Sequence, residues 1–249
     1  MSPTEFLIQS DGTRIAYLHI PGRSPGVMFC CGFMSDMNGT KALALENHCR
    51  NIGRAYTRFD YRGHGLSSGQ FIDGTIGLWA KDALAVLDRA TIGPQIVVGS
   101  SMGAWIMLLL ARYRPERLAG LVGIASAPDF VLRMWENFSE EIRHIIRKEG
   151  VYEEPTIYSD VPYAITLKLI EDGRKNLVLE DPWELHCPVR LIHGLEDPDV
   201  PWEESMRLIE KLTSPDVMLT LIKGGDHRLS RPSDIERIIA DVEGLGSNS

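Results

Sequence analysis

The chain has no long apolar stretch. Apolar runs such as residues 106–111 are far short of the ~20 residues that cross a bilayer, so no membrane span is expected. Cysteine is scarce: Cys30, Cys31, Cys49 and Cys187 are the four present in 249 residues. None forms a Cys-x-x-Cys pair, which argues against a disulfide framework and for reduced core thiols in a cytoplasmic protein. Positive charge is in deficit, 26 Lys and Arg against 34 Asp and Glu for a net −8. A nucleic-acid partner therefore lacks its electrostatic footprint. Residues 1–10 lack the basic-then-apolar order of a signal peptide. His19, His48, His144 and His186 have no metal-ligand spacing, and His64 and His193 read as structural, so no metal is expected. Arg62-Gly63-His64-Gly65 lacks the third glycine of a dinucleotide fingerprint, and no phosphate loop is present, so no cofactor is expected.

What the chain does have is alternation. Residues 6–8 and 15–18 flank Asp11-Gly12 and read as a β-hairpin. Buried strands are expected at 27–30, 55–59, 95–98, 120–125, 188–192 and 217–222. Helical spacing fills the gaps at 40–52, 76–90, 104–113, 203–212 and 232–242. Strand and helix in alternation predict an α/β protein with a mostly parallel eight-stranded sheet and helices on both faces. The whole of 1–249 reads as one domain. The alternation breaks between 129 and 187. There Val131, Trp135, Phe138, Ile142 and Ile145 predict one helix, and Val161, Ile165 and Leu169 a second. The stretch is too short for a large core of its own and reads as a small helical lid inserted into the domain.

Gly99-Ser100-Ser101-Met102-Gly103 sits between an apolar strand and an apolar helix, the context that gives a Gly-x-Ser-x-Gly turn chemical meaning. The turn would present the Ser101 hydroxyl at a helix N-terminus, where the dipole favours negative charge. A serine hydroxyl needs a base to act as a nucleophile, and the base needs an orienting acid. Asp197 follows one later strand and His227 the last, in the order acid then histidine. Asp199 and Asp129 are alternative acids, and Asp226 is expected to face solvent or anchor its loop. The oxyanion formed in acyl transfer needs two donors. The N–H of Met102 is one; Cys31-Gly32-Phe33-Met34, after the first parallel strand, supplies the second through Phe33. Met134, Trp135, Phe138 and Tyr163 are candidates to line an apolar acyl pocket beneath the lid.

These landmarks, with the Asp60-Tyr61-Arg62-Gly63-His64-Gly65-Leu66-Ser67 loop, resemble the α/β-hydrolase superfamily over nearly the whole chain. Gly32-Phe33-Met34-Ser35-Asp36-Met37-Asn38-Gly39-Thr40-Lys41-Ala42, Val98-Gly99-Ser100-Ser101-Met102-Gly103, Val200-Pro201-Trp202 and Asp226-His227-Arg228 are similar to one branch. That branch is the mitochondrial α/β-hydrolases acting as palmitoyl-protein thioesterases and acyl-glucuronide esterases. One departure is Cys31, where the superfamily commonly has histidine; the donor there is a backbone N–H, so the mechanism is untouched. No transit peptide is evident, which fits a bacterial relative. The resemblance implies a serine hydrolase acting on small-molecule or acylated substrates, esters or thioesters, through an acyl-enzyme. Fold does not fix function. A peptidase with a lid acid such as Glu140 or Glu141 as amine anchor, a carbon–carbon bond hydrolase and a non-catalytic binding scaffold are the alternatives. Ser101 in place of an aspartate argues against epoxide chemistry. Oligomeric state is not read from the sequence.

Overall fold

The computed structural model describes residues 3–156, 160–182 and 184–246. The N-terminal hairpin is β1 (Glu5–Ile8) and β2 (Arg14–Ile20), antiparallel with Leu7 opposite Ile15. Then follow β3 (Arg23–Cys30), α1 (Thr40–Asn51), β4 (Arg54–Phe59), α2 (Ile76–Ala90), β5 (Gln95–Ser100), α3 (Met102–Tyr113) and β6 (Leu118–Ile124). The insertion holds α4 (Phe130–Asn137), α5 (Glu140–Glu149), β7 (Val151–Glu154), β8 (Tyr163–Thr166) and α6 (Leu167–Gly173). β9 (Val189–Gly194), α7 (Glu203–Lys211), β10 (Val217–Ile222) and α8 (Pro232–Gly246) complete the order.

The main sheet has eight strands in the order β1-β2-β4-β3-β5-β6-β9-β10, parallel from β4 to β10. β3 leads through α1 to a neighbour on one side, and β4 leads through α2 to β5 on the other. Because crossovers are right-handed, α1 and α2 fall on opposite faces. Accordingly α1 packs with α8, and α2 with α3. The sheet is thus covered on both sides, and every residue of its central strand β5 is buried. The strand order switches side between β3 and β5, and in open parallel sheets ligands bind beyond the strand ends at such a point.

The insertion departs from the sequence expectation. Its first helical stretch is two helices, because Phe138 is extended and the Ser139 hydroxyl accepts from the Ile142 N–H to start α5 afresh. Residues 161–166 are not helical. Ile165 lies on β8, paired with Tyr152 of β7, and Thr166 caps α6 through the Leu169 N–H. The apolar spacing of Val161, Ile165 and Leu169 therefore bridges a strand and a helix, and the lid contains a β-hairpin as well as helices. All four cysteines are free thiols.

Candidate active site

Ser101 stands between β5 and α3 with φ +56° and ψ −119°, a conformation that side chains rarely adopt. Its neighbours show why the turn is tight. A Cβ on Gly99 would lie 2.4 Å from Gly103 O, and one on Gly103 would lie 2.1 Å from Cys30 O. Only glycine lets strand, helix and the end of β3 approach this closely. The Ser101 N–H donates to Ile124 O (2.9 Å), which ties the elbow to β6.

Asp197 and His227 come from the loops after β9 and β10. These loops are joined by the Glu196 N–H donating to Gly225 O (2.9 Å). His227 Nδ1 lies 2.7 Å from Asp197 Oδ2, and His227 Nε2 lies 3.0 Å from Ser101 Oγ. The ionised carboxylate can only accept, so Nδ1 carries the proton and Nε2 is free to take the serine's. The Asp197 side chain is 1% exposed. Burial works to raise its pKa. Hydrogen bonding from His193 and His227, the charge of His227 and the Val200 N–H overcome this and hold the carboxyl well below the usual range. Asp197 Oδ1 accepts the N–H groups of Asp199 and Val200, both at 2.9 Å.

Asp197, and neither alternative acid, holds His227 Nδ1. Asp199 lines the cleft, exposed, beside Asp197. Asp129 begins α4 with φ +54°, and its buried carboxylate accepts the Val178 and Leu179 N–H groups at 2.8–3.1 Å. It pins the returning end of the insertion and is not the histidine's partner. Asp226 anchors its loop by accepting the Leu229 N–H at 2.9 Å. Asp197, Asp199 and His227 bring potential metal-ligand atoms within 4.8 Å of one another. Both ring nitrogens of His227 and both oxygens of Asp197 are already committed to other partners.

Gly32 passes close to the elbow: a Cβ there would lie 3.5 Å from Ser101 Cβ. The N–H groups of Phe33 and Met102 have no acceptor among the described residues. The Phe33 ring meets Phe71, Trp79, Phe130 and Tyr163 edge-on, at centroid distances of 4.8–5.9 Å. Each such pair contributes about 0.5–1.5 kcal/mol beyond its buried area, so four of them hold the loop firmly. Asp60 braces it from below, accepting the Met37 and Leu66 N–H groups at 2.7 and 2.8 Å.

Ser101 and His227 open onto a cleft of about 890 Å³. Met134, Phe138 and Tyr163 line it, joined by Phe130 and Ile142. Trp135 is not among the lining residues. One residue along a helix is a 100° turn, which carries Trp135 off the face shared by Met134 and Phe138. Its ring instead packs under Arg147 and Arg174, at 5.1 and 5.3 Å. Glu140 pairs with Arg143 at 2.6 Å, and neither it nor Glu141 lines the cleft. Sequence reasoning missed Lys41, Arg133 and Glu154 on the cleft wall. Burial pushes the Lys41 ammonium down to about 8, and its Nζ donates to Arg228 O at 2.5 Å. No sequence signal separates these charges from ordinary surface ones.

A family model described as "Serine aminopeptidase, S33" matches residues 25–234. The chain belongs to this family. Its fold is that of the α/β-hydrolases, and it is an enzyme of the serine-hydrolase type. Members similar to it include the human and bovine proteins named "Palmitoyl-protein thioesterase ABHD10, mitochondrial". Each is 39% identical over 241 residues, 96% of this chain and 79% of the relative. The solved structure of alpha/beta hydrolase domain-containing protein 10 from mouse aligns with a TM-score of 0.92 and 38% identity, covering 98% of each chain. A putative hydrolase from Agrobacterium vitis aligns with a TM-score of 0.93 and 40% identity, covering 98% of this chain and 99% of that one.

Proposed function

We propose that the protein hydrolyses acyl thioesters and esters with medium to long apolar acyl groups, through an acyl-enzyme on Ser101. The observation that carries this is the position of the Ser101–His227 pair at the mouth of a cleft walled by Phe130, Met134, Phe138 and Ile142. A hydroxyl paired to an imidazole supplies the nucleophile, and an apolar wall rewards an acyl chain. The relatives named as palmitoyl-protein thioesterases support the same substrate class.

The reaction follows from the geometry. Ser101 Oγ attacks the acyl carbonyl carbon while its proton passes to His227 Nε2. The imidazolium that forms is stabilised by Asp197 through Nδ1–H. The carbonyl oxygen becomes an oxyanion between the Phe33 and Met102 N–H groups; losing one such donor typically costs about 100- to 1000-fold in rate. Collapse expels the thiol or alcohol, which takes the proton from Nε2. Water then attacks the acyl-enzyme by the same route and releases the carboxylic acid. Four free thiols suit a reducing compartment such as the cytoplasm.

A series of p-nitrophenyl esters and acyl thioesters from C2 to C16 tests the reading. Rates should rise with chain length, and a fluorophosphonate should label the wild type but not Ser101→Ala. Labelling that persists in Ser101→Ala, or a flat chain-length profile, would refute it. The aminopeptidase alternative has one group in its favour, Glu154, half-buried on the cleft wall with no partner among the described residues. Burial raises its pKa, which weakens it as an anchor for a substrate ammonium.

A further inference from the structure

His193 lies at the end of β9, four residues before Asp197, and is fully buried. Three contacts hold its ring. Nδ1 is 2.7 Å from Oγ of Ser205, itself fully buried on α7. Nε2 hydrogen-bonds Val200 O at 3.0 Å and lies 3.2 Å from Asp197 Oδ2. Both groups facing Nε2, a carbonyl and an ionised carboxylate, can only accept, so Nε2 carries a proton. The Ser205 hydroxyl can donate to Nδ1. The contacts therefore place a proton on Nε2, with its N–H aimed into the loop that carries the acid.

Oδ2 is the oxygen that holds His227, so its position decides where His227 Nε2 points. On the other side of Asp197, Oδ1 is fixed by the Asp199 and Val200 N–H groups. We infer that His193 is a positioning residue for the reaction: its Nε2–H, oriented by Ser205, fixes Val200 and Asp197 Oδ2 together and so sets the aim of His227. This rests on the reading of Ser101, His227 and Asp197 as the catalytic triad. Hydrogen bonds from His193 and His227 both favour the charged form of Asp197.

The test compares His193→Leu, His193→Gln and Ser205→Ala with Ser101→Ala and the wild type. The measurements are kcat, KM, thermal melting and ¹⁵N NMR of the histidine rings. In the wild type, the His193 ring should carry its proton on Nε2. His193→Leu should lower kcat by about 10- to 100-fold, as loss of a ligand-orienting partner does elsewhere, with KM nearly unchanged. His193→Gln can place an N–H where Nε2 lies, and should recover most of that loss at the same melting temperature. Ser205→Ala should lower kcat by about 3- to 10-fold, since small misplacements of a catalytic group are costly.

A merely structural histidine would lower melting temperature while leaving kcat of the folded fraction intact. Wild-type kcat in His193→Leu, equal kcat losses in Leu and Gln, or an Nδ1–H tautomer overturns the assignment. Should His193→Leu fail to fold, Ser205→Ala decides: lowered kcat supports the role and unchanged kcat overturns it. Activity surviving in Ser101→Ala would instead remove the triad reading. An inactive Ser101→Ala beside an unimpaired His193→Leu removes only the role of His193.

Discussion

The elbow and the insertion both deliver side chains to one cleft, but they are built differently. At the elbow, ten consecutive residues of α3, Met102 to Ala111, are buried, and glycine contacts leave no slack. In the insertion, α4 has a single buried residue, Val131, and α5 a single one, Ile146. A close-packed body allows one arrangement, whereas a thinly packed layer tolerates changes of shape. The contrast matches a division of labour. Chemistry needs placement to a fraction of an ångström, while acyl selection needs an apolar wall of the right depth.

Four measurements would break or sharpen this contrast. The largest effect is expected at the rigid end. Asp197→Asn should lower kcat by about 10⁴-fold with little change in KM, because the neutral amide no longer stabilises the imidazolium or its tautomer. On the insertion side, Met134→Ala should leave kcat on short esters unchanged. It should reduce the preference for long over short acyl chains by about 10-fold, read from the ratio of kcat/KM values. A comparable fall on C2 esters would show that the insertion shapes the chemistry itself.

The next effect is on stability. Asp129→Ala removes an acceptor from two buried N–H groups and should destabilise the fold by about 1–3 kcal/mol. At about 2–4 °C per kcal/mol for a chain of this size, a melting scan would register it, with short-ester kcat held within a few-fold. The smallest effect is one of slope. Because the Asp197 carboxyl is held below the usual range, it stays ionised as pH falls from neutrality to the ordinary carboxylate range. The acid limb of log kcat/KM should then fall with slope one, without a contribution from Asp197; slope two would mean that Asp197 titrates within the limb. The same sign applies to stability: what the ionised Asp197 contributes is present above the usual carboxylate range and is lost on further acidification.

The two regions also differ in how far they were legible in the sequence. Ser101, Asp197 and His227 were readable because each follows an apolar strand, and strand ends in a parallel sheet converge in space. Phe33 was expected as an N–H donor, and its role as the ring that four other aromatics surround was not legible, since those partners are scattered from Phe71 to Tyr163. The insertion was read less well for a physical reason. Helix periodicity reports burial of one face, and α4 and α5 bury one residue each, while the apolar spacing of Val161, Ile165 and Leu169 runs across a strand and a helix. Trp135 illustrates the limit: composition marked it as apolar, but only its angular position on α4 shows that it stacks with Arg147 and Arg174. His193 escaped because a histidine at a strand end looks the same whether it fills space or steers a neighbour.

The Asp129 carboxylate has a consequence for how such an enzyme can change over evolutionary time. It grips residues 178 and 179 from residue 129, so the two ends of the insertion are clasped at its root. Distal to that clasp, lengthening a loop whose ends are already held together carries only a shallow entropic cost. A single acidic side chain thereby sets where the insertion is rooted, while Phe130 and Tyr163 within it remain coupled to the Phe33 ring.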